Sequence, residues 1–276
     1  MELTEAQVHA FDEDGYLVFP GLFSRCEIDF VTAEVPTLLA GTDQGMYREL
    51  DDAAAVRLLF DCHRHNEVFE RLSRHPRLVG PARQLLREDV YIHQSRLNPK
   101  MDFSGASWPW HQDYGVWARD DRMLAPRALM VAVFLDEANA ANSPLLIVPG
   151  SQSFGMVESV SRAEGSPDTY SVMAIDRSTL TGLVAVGGIV PLVGPPGTVA
   201  FLHCNIVHGS GNNITPWRRA IFYLNYNAVS NGCTNSSRPE YLSNRDFSPI
   251  RALPDGCLAQ LAGVRPSVLD GGGRRT

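Results

Sequence analysis

The chain has 276 residues, 44% of them hydrophobic and 20% charged, and 24 Lys and Arg against 31 Asp and Glu give a formal net charge of −7. This is the composition of an ordinary globular protein, which excludes disorder as the main state. The acidic balance argues against a dedicated nucleic-acid binder, because such a protein would carry a clustered basic surface. The longest apolar run, 128–135, is far shorter than a membrane span.

The first 89 residues are predicted to be mostly helical. A helix begins after Thr4, a suitable N-cap, and ends at the acidic stretch 12–15, before a short strand at 16–20. Apolar residues at helical spacing predict one helix over 28–39 and two more over 56–86.

From residue 90 onward the pattern changes to short strand-like runs separated by Pro, Gly and Asn clusters. These runs are 90–98, 128–135, 145–148, 197–204 and 220–227. Helices first and strands afterwards favour helices packed outside a β sandwich or barrel over alternating βαβ units.

Residues 151–190 lack a strong pattern, and a connection of that length is more often an active-site lid than an idle loop; partly disordered surface is the alternative. We find neither a repeat nor a linker and predict a single domain over 1–276. It would consist of a helical jacket (1–89), a strand-rich core (90–231) and a C-terminal extension (232–276).

The five cysteines lack CxxC spacing, which fits reduced thiols better than a disulfide framework or a zinc site. The acidic N-terminus also lacks the basic start and apolar core of a signal peptide. We therefore expect a cytoplasmic protein with neither a nucleic-acid nor a membrane partner. The sequence leaves monomer and homodimer equally open.

Three residues from two segments can form a metal site. His111 and Asp113 are two residues apart, so that in or just past a strand they point to the same face. His208 follows the predicted strand 197–204. Two His and one carboxylate are the facial triad of non-haem Fe(II) oxygenases, although His-x-Asp alone often occurs by chance. Arg219, at the start of the next strand, is suited to gripping a carboxylate nearby.

Several other polar residues compete for such roles. His203 is predicted to be a hydrogen-bonded strand or second-layer histidine, because it alternates with apolar neighbours five residues before His208. Three other histidines lie among charged residues of the predicted helices and are predicted to be solvated: His63, His65 and His75. Arg218 should point away from the face of Arg219 and lie at the surface.

A second signal is the alternation of Gln94, Arg96 and Asn98, which share one face of the predicted strand 90–98 and which Lys100 can continue. Two interpretations stay open. The face is either the solvent side of an edge strand or a polar wall in a barrel mouth that holds a small polar ligand.

The chain resembles the phytanoyl-CoA dioxygenase (PhyH) superfamily of Fe(II)/2-oxoglutarate oxygenases, and within it is most similar to the ectoine hydroxylases. The similarity covers most of the chain and is densest in 93–98, 110–113, 127–129, 148–151, 204–216 and 225–231. It implies a mainly β double-stranded β-helix (jelly-roll) with outer helices. It also implies Fe(II) as cofactor, 2-oxoglutarate and O2 as cosubstrates, and His111, Asp113 and His208 as iron ligands.

The resemblance further implies a cosubstrate site. Arg219 would bind the distal carboxylate of 2-oxoglutarate with help from Ser210 and Asn98, and Trp108 falls where the family has an aromatic residue. The expected substrate contacts are Gln94, Trp117, Met130, Leu202, Ile221 and Tyr223.

Gln94 and Trp117 match the ectoine hydroxylases, whereas the other four expected substrate contacts depart from them. The metal and cosubstrate machinery is therefore kept while substrate-facing positions differ. This predicts hydroxylation of an unactivated C–H bond in another small polar molecule, such as an amino acid, an imino acid or a secondary metabolite, with ectoine itself less favoured.

Two alternatives to hydroxylation stay open. The same cofactor chemistry can give desaturation, epoxidation or ring formation. A non-catalytic jelly-roll binding or sensor protein is the alternative of another class, disfavoured because such a protein has no need of a complete triad with its Arg.

Overall fold

The computed structural model describes residues 1–41, 44–157, 159–162 and 172–264. The strands, in chain order, are β1 (Tyr16–Phe19), β2 (Met46–Arg48), β3 (Val56–Phe60), β4 (Val90–Asn98), β5 (Trp108–His111), β6 (Ala128–Phe134), β7 (Leu145–Val148), β8 (Ser159–Arg162), β9 (Met173–Ile175), β10 (Val190–Leu192), β11 (Val199–His203), β12 (Val207–Ser210) and β13 (Ile221–Ala228). The α-helices are α1 (Glu5–Asp14), α2 (Arg25–Thr32), α3 (Val35–Leu39), α4 (Cys62–His65), α5 (Glu67–Ser73), α6 (Pro76–Leu86), α7 (Asp113–Asp120), α8 (Arg177–Gly187) and α9 (Cys257–Val264).

The strands form two antiparallel sheets. The larger has the order β1-β11-β6-β13-β4-β3-β2, and the smaller has the order β10-β7-β12-β5-β9-β8. Strands β4, β6 and β13 are each buried along their whole length. Such strands need cover on both faces, and the helices and the second sheet provide it.

The two faces of β6 show how this cover is divided. Leu129, Val131 and Val133 join the large core cluster that includes residues of α2, α5 and α6. The alternate residues Met130 and Phe134 belong to a second cluster on the other face of the sheet. Side chains alternate across a strand, so β6 separates a helix-covered core from the interior in which the site lies.

The structure corrects two of the predicted helices. The run 56–86 begins with strand β3 and continues as three helices, because the apolar run 56–60 pairs with β4 in a register of Leu59 with Leu97. A short apolar run alone does not distinguish a buried strand from a buried helix. The predicted helix 28–39 is divided into α2 and α3, and Pro36 lies in the first turn of α3, where its missing N–H costs nothing.

The histidine predictions are partly wrong. His63 is buried and its Nδ1 lies 2.7 Å from Ser95 Oγ, and His75 is fully buried with Nε2 2.8 Å from the carbonyl oxygen of Asp255. Burial lowers the pKa of both imidazoles. His65 is exposed, as predicted.

The described parts of the predicted lid 151–190 form a 3-10 turn at Ser151–Phe154 followed by β8, β9, α8 and the start of β10; residues 158 and 163–171 of that segment lie outside the described residues. The five cysteines form no disulfide bond. Among the described residues, helices long and apolar enough for a membrane span are absent.

Candidate active site

Two neighbouring strands of the smaller sheet bring the predicted triad together. His111 ends β5 and His208 lies directly opposite it in β12, while Asp113 begins α7. Asp113 Oδ1 lies 3.7 Å from His111 Nε2 and 4.0 Å from His208 Nε2. All three side chains are buried, and one ligand atom from each lies within 4.8 Å of the others.

Both imidazoles are fixed in the tautomer that a metal ligand needs. His111 Nδ1 lies 2.7 Å from the carbonyl oxygen of Pro109, and His208 Nδ1 lies 3.0 Å from that of Ile206. Because a carbonyl oxygen can only accept, each Nδ1 carries the proton and each Nε2 presents its lone pair towards Asp113. Burial lowers the pKa of His208 to about 3, so this ring is neutral.

Arg96 orients the carboxylate of the triad. Its Nη2 donates to Asp113 Oδ2 over 2.9 Å, which leaves Oδ1 to face the two imidazoles. Burial opposes the charge on Asp113, but the Arg96 guanidinium outweighs it and holds the pKa of this carboxyl far below its usual range. Two imidazole nitrogens and one carboxylate oxygen on a common face fit Fe(II) with open positions for other ligands.

A pocket opens over the triad. Its lining combines polar and apolar side chains from both sheets: Leu58, Arg96, Asn98, Trp108, His111, Asp113, Met130, Leu145, Val172, His208, Gly209, Ser210, Arg219 and Tyr223. Of the sequence-predicted residues, the triad, Arg219, Ser210, Asn98, Trp108, Met130 and Tyr223 are all in this lining.

Arg219 is a candidate anion-binding group of the pocket. It is 1% exposed, and its Nε donates to the carbonyl oxygen of Ser143 over 3.1 Å. The Tyr223 side chain also bonds to the guanidinium. Nη1 of Arg219 is buried without a hydrogen-bond partner among the described residues. A buried, incompletely bonded guanidinium in a pocket indicates an anionic ligand, since leaving it unpaired is costly.

Lys100 adds a second buried basic side chain beside Arg219. Its Nζ donates to the carbonyl oxygen of Ala106 over 2.5 Å and to Ser210 Oγ over 3.1 Å. Burial, followed by the charges of Arg219 and Arg57, lowers the pKa of Lys100 to about 6. The Lys100 amine thus reaches the pocket through Ser210, which lines it.

Four predicted substrate contacts lie outside this lining: Gln94, Trp117, Leu202 and Ile221. Gln94 Oε1 accepts from Arg96 Nη1 over 2.9 Å, so it acts on the pocket through Arg96. Trp117 is fully buried beside the ring of His93, with centroids 5.2 Å apart. Leu202 and Ile221 pack in one apolar cluster with Met130. A substrate role for these four stays a prediction.

The open question about strand β4 is resolved, because β4 lies between β3 and β13 and all of its residues are buried. It is the polar wall of a pocket and is not an edge strand.

His203 ends β11, and its Nδ1 accepts from Asn205 N over 3.0 Å, which confirms a hydrogen-bonded strand histidine. Arg218 points away from the pocket and pairs with Asp136.

Sequence reasoning missed the apolar part of the lining: Leu58, Leu145 and Val172. Leu58 and Leu145 lie in β3 and β7, on two different sheets. Apolar residues carry no chemical signature of a site, and only the tertiary structure brings them beside the triad.

The phytanoyl-CoA dioxygenase (PhyH) family model matches residues 11–221. The chain belongs to this family. It is 36% identical over 256 residues to an L-proline trans-4-hydroxylase of Streptomyces griseoviridis, which covers 90% of this chain and 95% of the relative. It is also 36% identical over 274 residues to an ectoine dioxygenase of Sphingopyxis alaskensis, which covers 94% and 88%.

Solved structures lead to the same class of enzyme. The chain is similar to EctD from S. alaskensis with 2-oxoglutarate and 5-hydroxyectoine, with a TM-score of 0.81 and 36% identity over 91% of this chain and 87% of that one. The same protein has been solved with bound Fe. The predictions of a jelly-roll fold, iron, 2-oxoglutarate and dioxygenase activity on a small molecule are therefore confirmed.

Proposed function

We propose that this family member hydroxylates a free imino or amino acid at an unactivated C–H bond. The observation that carries the proposal is the union, in one pocket, of the triad with an Arg219 guanidinium whose buried Nη1 has no hydrogen-bond partner in the described part of the chain. Support for the substrate class comes from the proline hydroxylase relative and from Met130 and Tyr223, two pocket-lining residues that the resemblance marks as departures from the ectoine hydroxylases.

Within this proposal each polar residue has a separate task. His111, Asp113 and His208 would hold Fe(II), which with 2-oxoglutarate and O2 supplies the oxidising chemistry when bound. Arg219 would orient the distal carboxylate of 2-oxoglutarate, with Ser210 and Asn98 beside it and Lys100 behind Ser210.

Arg96 and the apolar lining would position the substrate. Arg96 gives the pocket a positive charge near the metal side, and its guanidinium lies 5.0 Å from the centre of the Tyr223 ring. A substrate carboxylate would be attracted there. Leu58, Met130 and Val172 would contact the carbon skeleton and exclude water.

The test is a substrate panel under Fe(II), 2-oxoglutarate and O2. L-proline, other cyclic imino acids, linear amino acids and ectoine are assayed for succinate release and for a product heavier by one oxygen atom. We expect an imino or amino acid to give both in equal amounts and to exceed ectoine in kcat/KM. Preference for ectoine would contradict the substrate class. Absence of substrate-dependent succinate with every compound would favour the non-catalytic binding protein.

We also propose a cytoplasmic location, which five unpaired cysteines support. The sequence-based expectation of a monomer or a homodimer, without a nucleic-acid partner, stays a prediction.

A further inference from the structure

Gln112 lies between two of the proposed iron ligands, and its side-chain amide is fully used. It is 4% exposed. Its Nε2 donates to the carbonyl oxygen of Gly155 over 2.8 Å and to that of Asn205 over 2.6 Å. Its Oε1 accepts from the backbone N–H of Val157 over 3.0 Å. Both amide protons and the amide oxygen therefore bond to backbone groups of two distant segments.

One of these segments, the turn that contains Asn205, leads to the third proposed iron ligand, His208. Asn205 lies in the turn between β11 and β12, three residues before His208. The hydrogen bond from Gln112 thus ties the segment that carries His111 and Asp113 to the turn that sets the start of β12.

The second segment is connected to one residue of the pocket lining, Val172: strand β8 begins two residues after Val157 and pairs with β9, which begins directly after Val172. Gly155 and Val157 follow the 3-10 turn at Ser151–Phe154, and farther along the same connection Val172 is 3% exposed and lines the pocket. Strand β9 then pairs with β5, with Ala174 opposite His111. We call residues 155–157 and 172–175 the pocket cover. It meets the ligand segment at two places, the Gln112 amide and the Ala174–His111 pair.

We propose that Gln112 is a positioning residue that holds the pocket cover in register with the ligand segment, so that oxidation of 2-oxoglutarate stays coupled to hydroxylation of the substrate. This inference rests on the proposed function. Gln112 does not line the pocket and acts through the cover and through Val172. When it is lost, the triad keeps its own hydrogen bonds to Pro109, Ile206 and Arg96, whereas the cover loses two hydrogen bonds and the Asn205 turn loses one.

The experiment compares Gln112→Leu with the matched control Gln152→Leu. Gln152 is also a buried amide of this connection, and its Nε2 likewise reaches two carbonyl oxygens, those of Asp12 and Glu13. Gln152 thus ties the connection 151–190 to helix α1, away from the triad. Each variant is measured for melting temperature, for substrate KM, and for product formed per succinate. The visible absorption band of the anaerobic Fe(II)–2-oxoglutarate complex reports on the metal and cosubstrate independently of turnover.

For Gln112→Leu we expect substrate KM to rise about tenfold, because the pocket cover and with it Val172 no longer keep their place beside the ligand segment. Product per succinate should fall below about half, while the anaerobic band persists because hydrogen bonds that Gln112 does not make fix the ligands. Gln152→Leu should lower the melting temperature similarly and keep the wild-type KM and product ratio.

Three outcomes would overturn the inference. They are equal KM and product ratios in Gln112→Leu and Gln152→Leu, loss of the band in Gln112→Leu, and a Val157→Pro variant that folds with wild-type KM and ratio. Val157→Pro deletes the N–H that bonds to Gln112 Oε1 and leaves the Gln112 side chain in place, so it serves if Gln112→Leu does not fold. A wild-type protein without substrate-dependent succinate would overturn the proposed function as well, whereas active wild type with matching variants overturns this inference alone.

Discussion

The substitution Arg219→Leu should weaken 2-oxoglutarate binding and leave the fold intact. Arg219 commits its Nε to the carbonyl oxygen of Ser143 and keeps Nη1 without a partner among the described residues, at the wall of the pocket. Hydrogen bonds to charged groups contribute about 1.5–3 kcal/mol each, so a two-pronged grip on a carboxylate contributes about 3–6 kcal/mol. At 1.4 kcal/mol per tenfold, Arg219→Leu should weaken 2-oxoglutarate binding about 100-fold to 10,000-fold.

The assay is a 2-oxoglutarate titration of succinate release at saturating substrate, paired with an anaerobic titration of the visible band. Arg219→Lys should fall between Leu and wild type, because it keeps the charge and loses the fork. The fold should not suffer in Arg219→Leu, since the change removes a buried charge that is incompletely bonded.

The neighbouring residue supplies a matched control. Arg218 pairs with Asp136 on the other side of the strand, over 2.8 and 3.1 Å. Arg218→Leu removes the same side chain from the same segment, at a stability cost of about 0.2–1 kcal/mol, and should leave 2-oxoglutarate binding within about twofold of wild type. Binding within about threefold of wild type in Arg219→Leu, or equal effects of the two variants, would refute the reasoning.

Three further predictions follow from the electrostatics of the site. The folded pKa of Lys100, about 6, lies below its unfolded value, so the folded state binds fewer protons and its stability should rise with pH from about 6 towards 10. Lys100→Met should flatten this slope in urea unfolding of the apo protein and raise the unfolding free energy at pH 7 by at least about 1 kcal/mol; an unchanged slope would contradict the burial argument. Arg96→Leu should destabilise the protein by about 3–5 kcal/mol in the same assay, because the buried Asp113 carboxylate loses its cation; a loss under about 1 kcal/mol would show that Asp113 does not depend on it. Chelation should abolish turnover, and added Fe(II) should restore it. In thermal melting, Fe(II) at a hundred times its Kd should stabilise wild type by about 2.7 kcal/mol and should not stabilise His111→Ala. Equal stabilisation of both proteins would place the metal elsewhere.

The polar part of the site could be predicted from sequence because its signals are local. His111 ends a strand and Asp113 lies two residues farther on, and Arg96 and Asn98 alternate along one strand, so each pattern involves only residues that are close in sequence. The bounds of β4 and β7 matched the predicted runs 90–98 and 145–148. Where a strand carries polar residues at every second position, the pattern marks the face that a site can use.

What sequence reasoning missed depends on contacts between distant segments. The run 56–60 becomes a strand because β4 offers it a partner, and nothing within the run shows this. His63 and His75 are buried because Ser95 and Asp255 supply hydrogen-bond partners from remote parts of the chain. Val172 enters the pocket through pairing of β9 with β5. These are tertiary effects that override local pattern.

The central claim is that His111, Asp113 and His208 hold the iron that drives substrate hydroxylation. The most direct measurement is the yield of succinate and of oxygenated product in wild type, in His111→Ala and in His203→Ala, a nearby histidine outside the pocket lining. In wild type and in His203→Ala we expect one molecule of oxygenated product for each molecule of succinate. In a folded His111→Ala we expect neither product. Undiminished turnover in His111→Ala would contradict the claim.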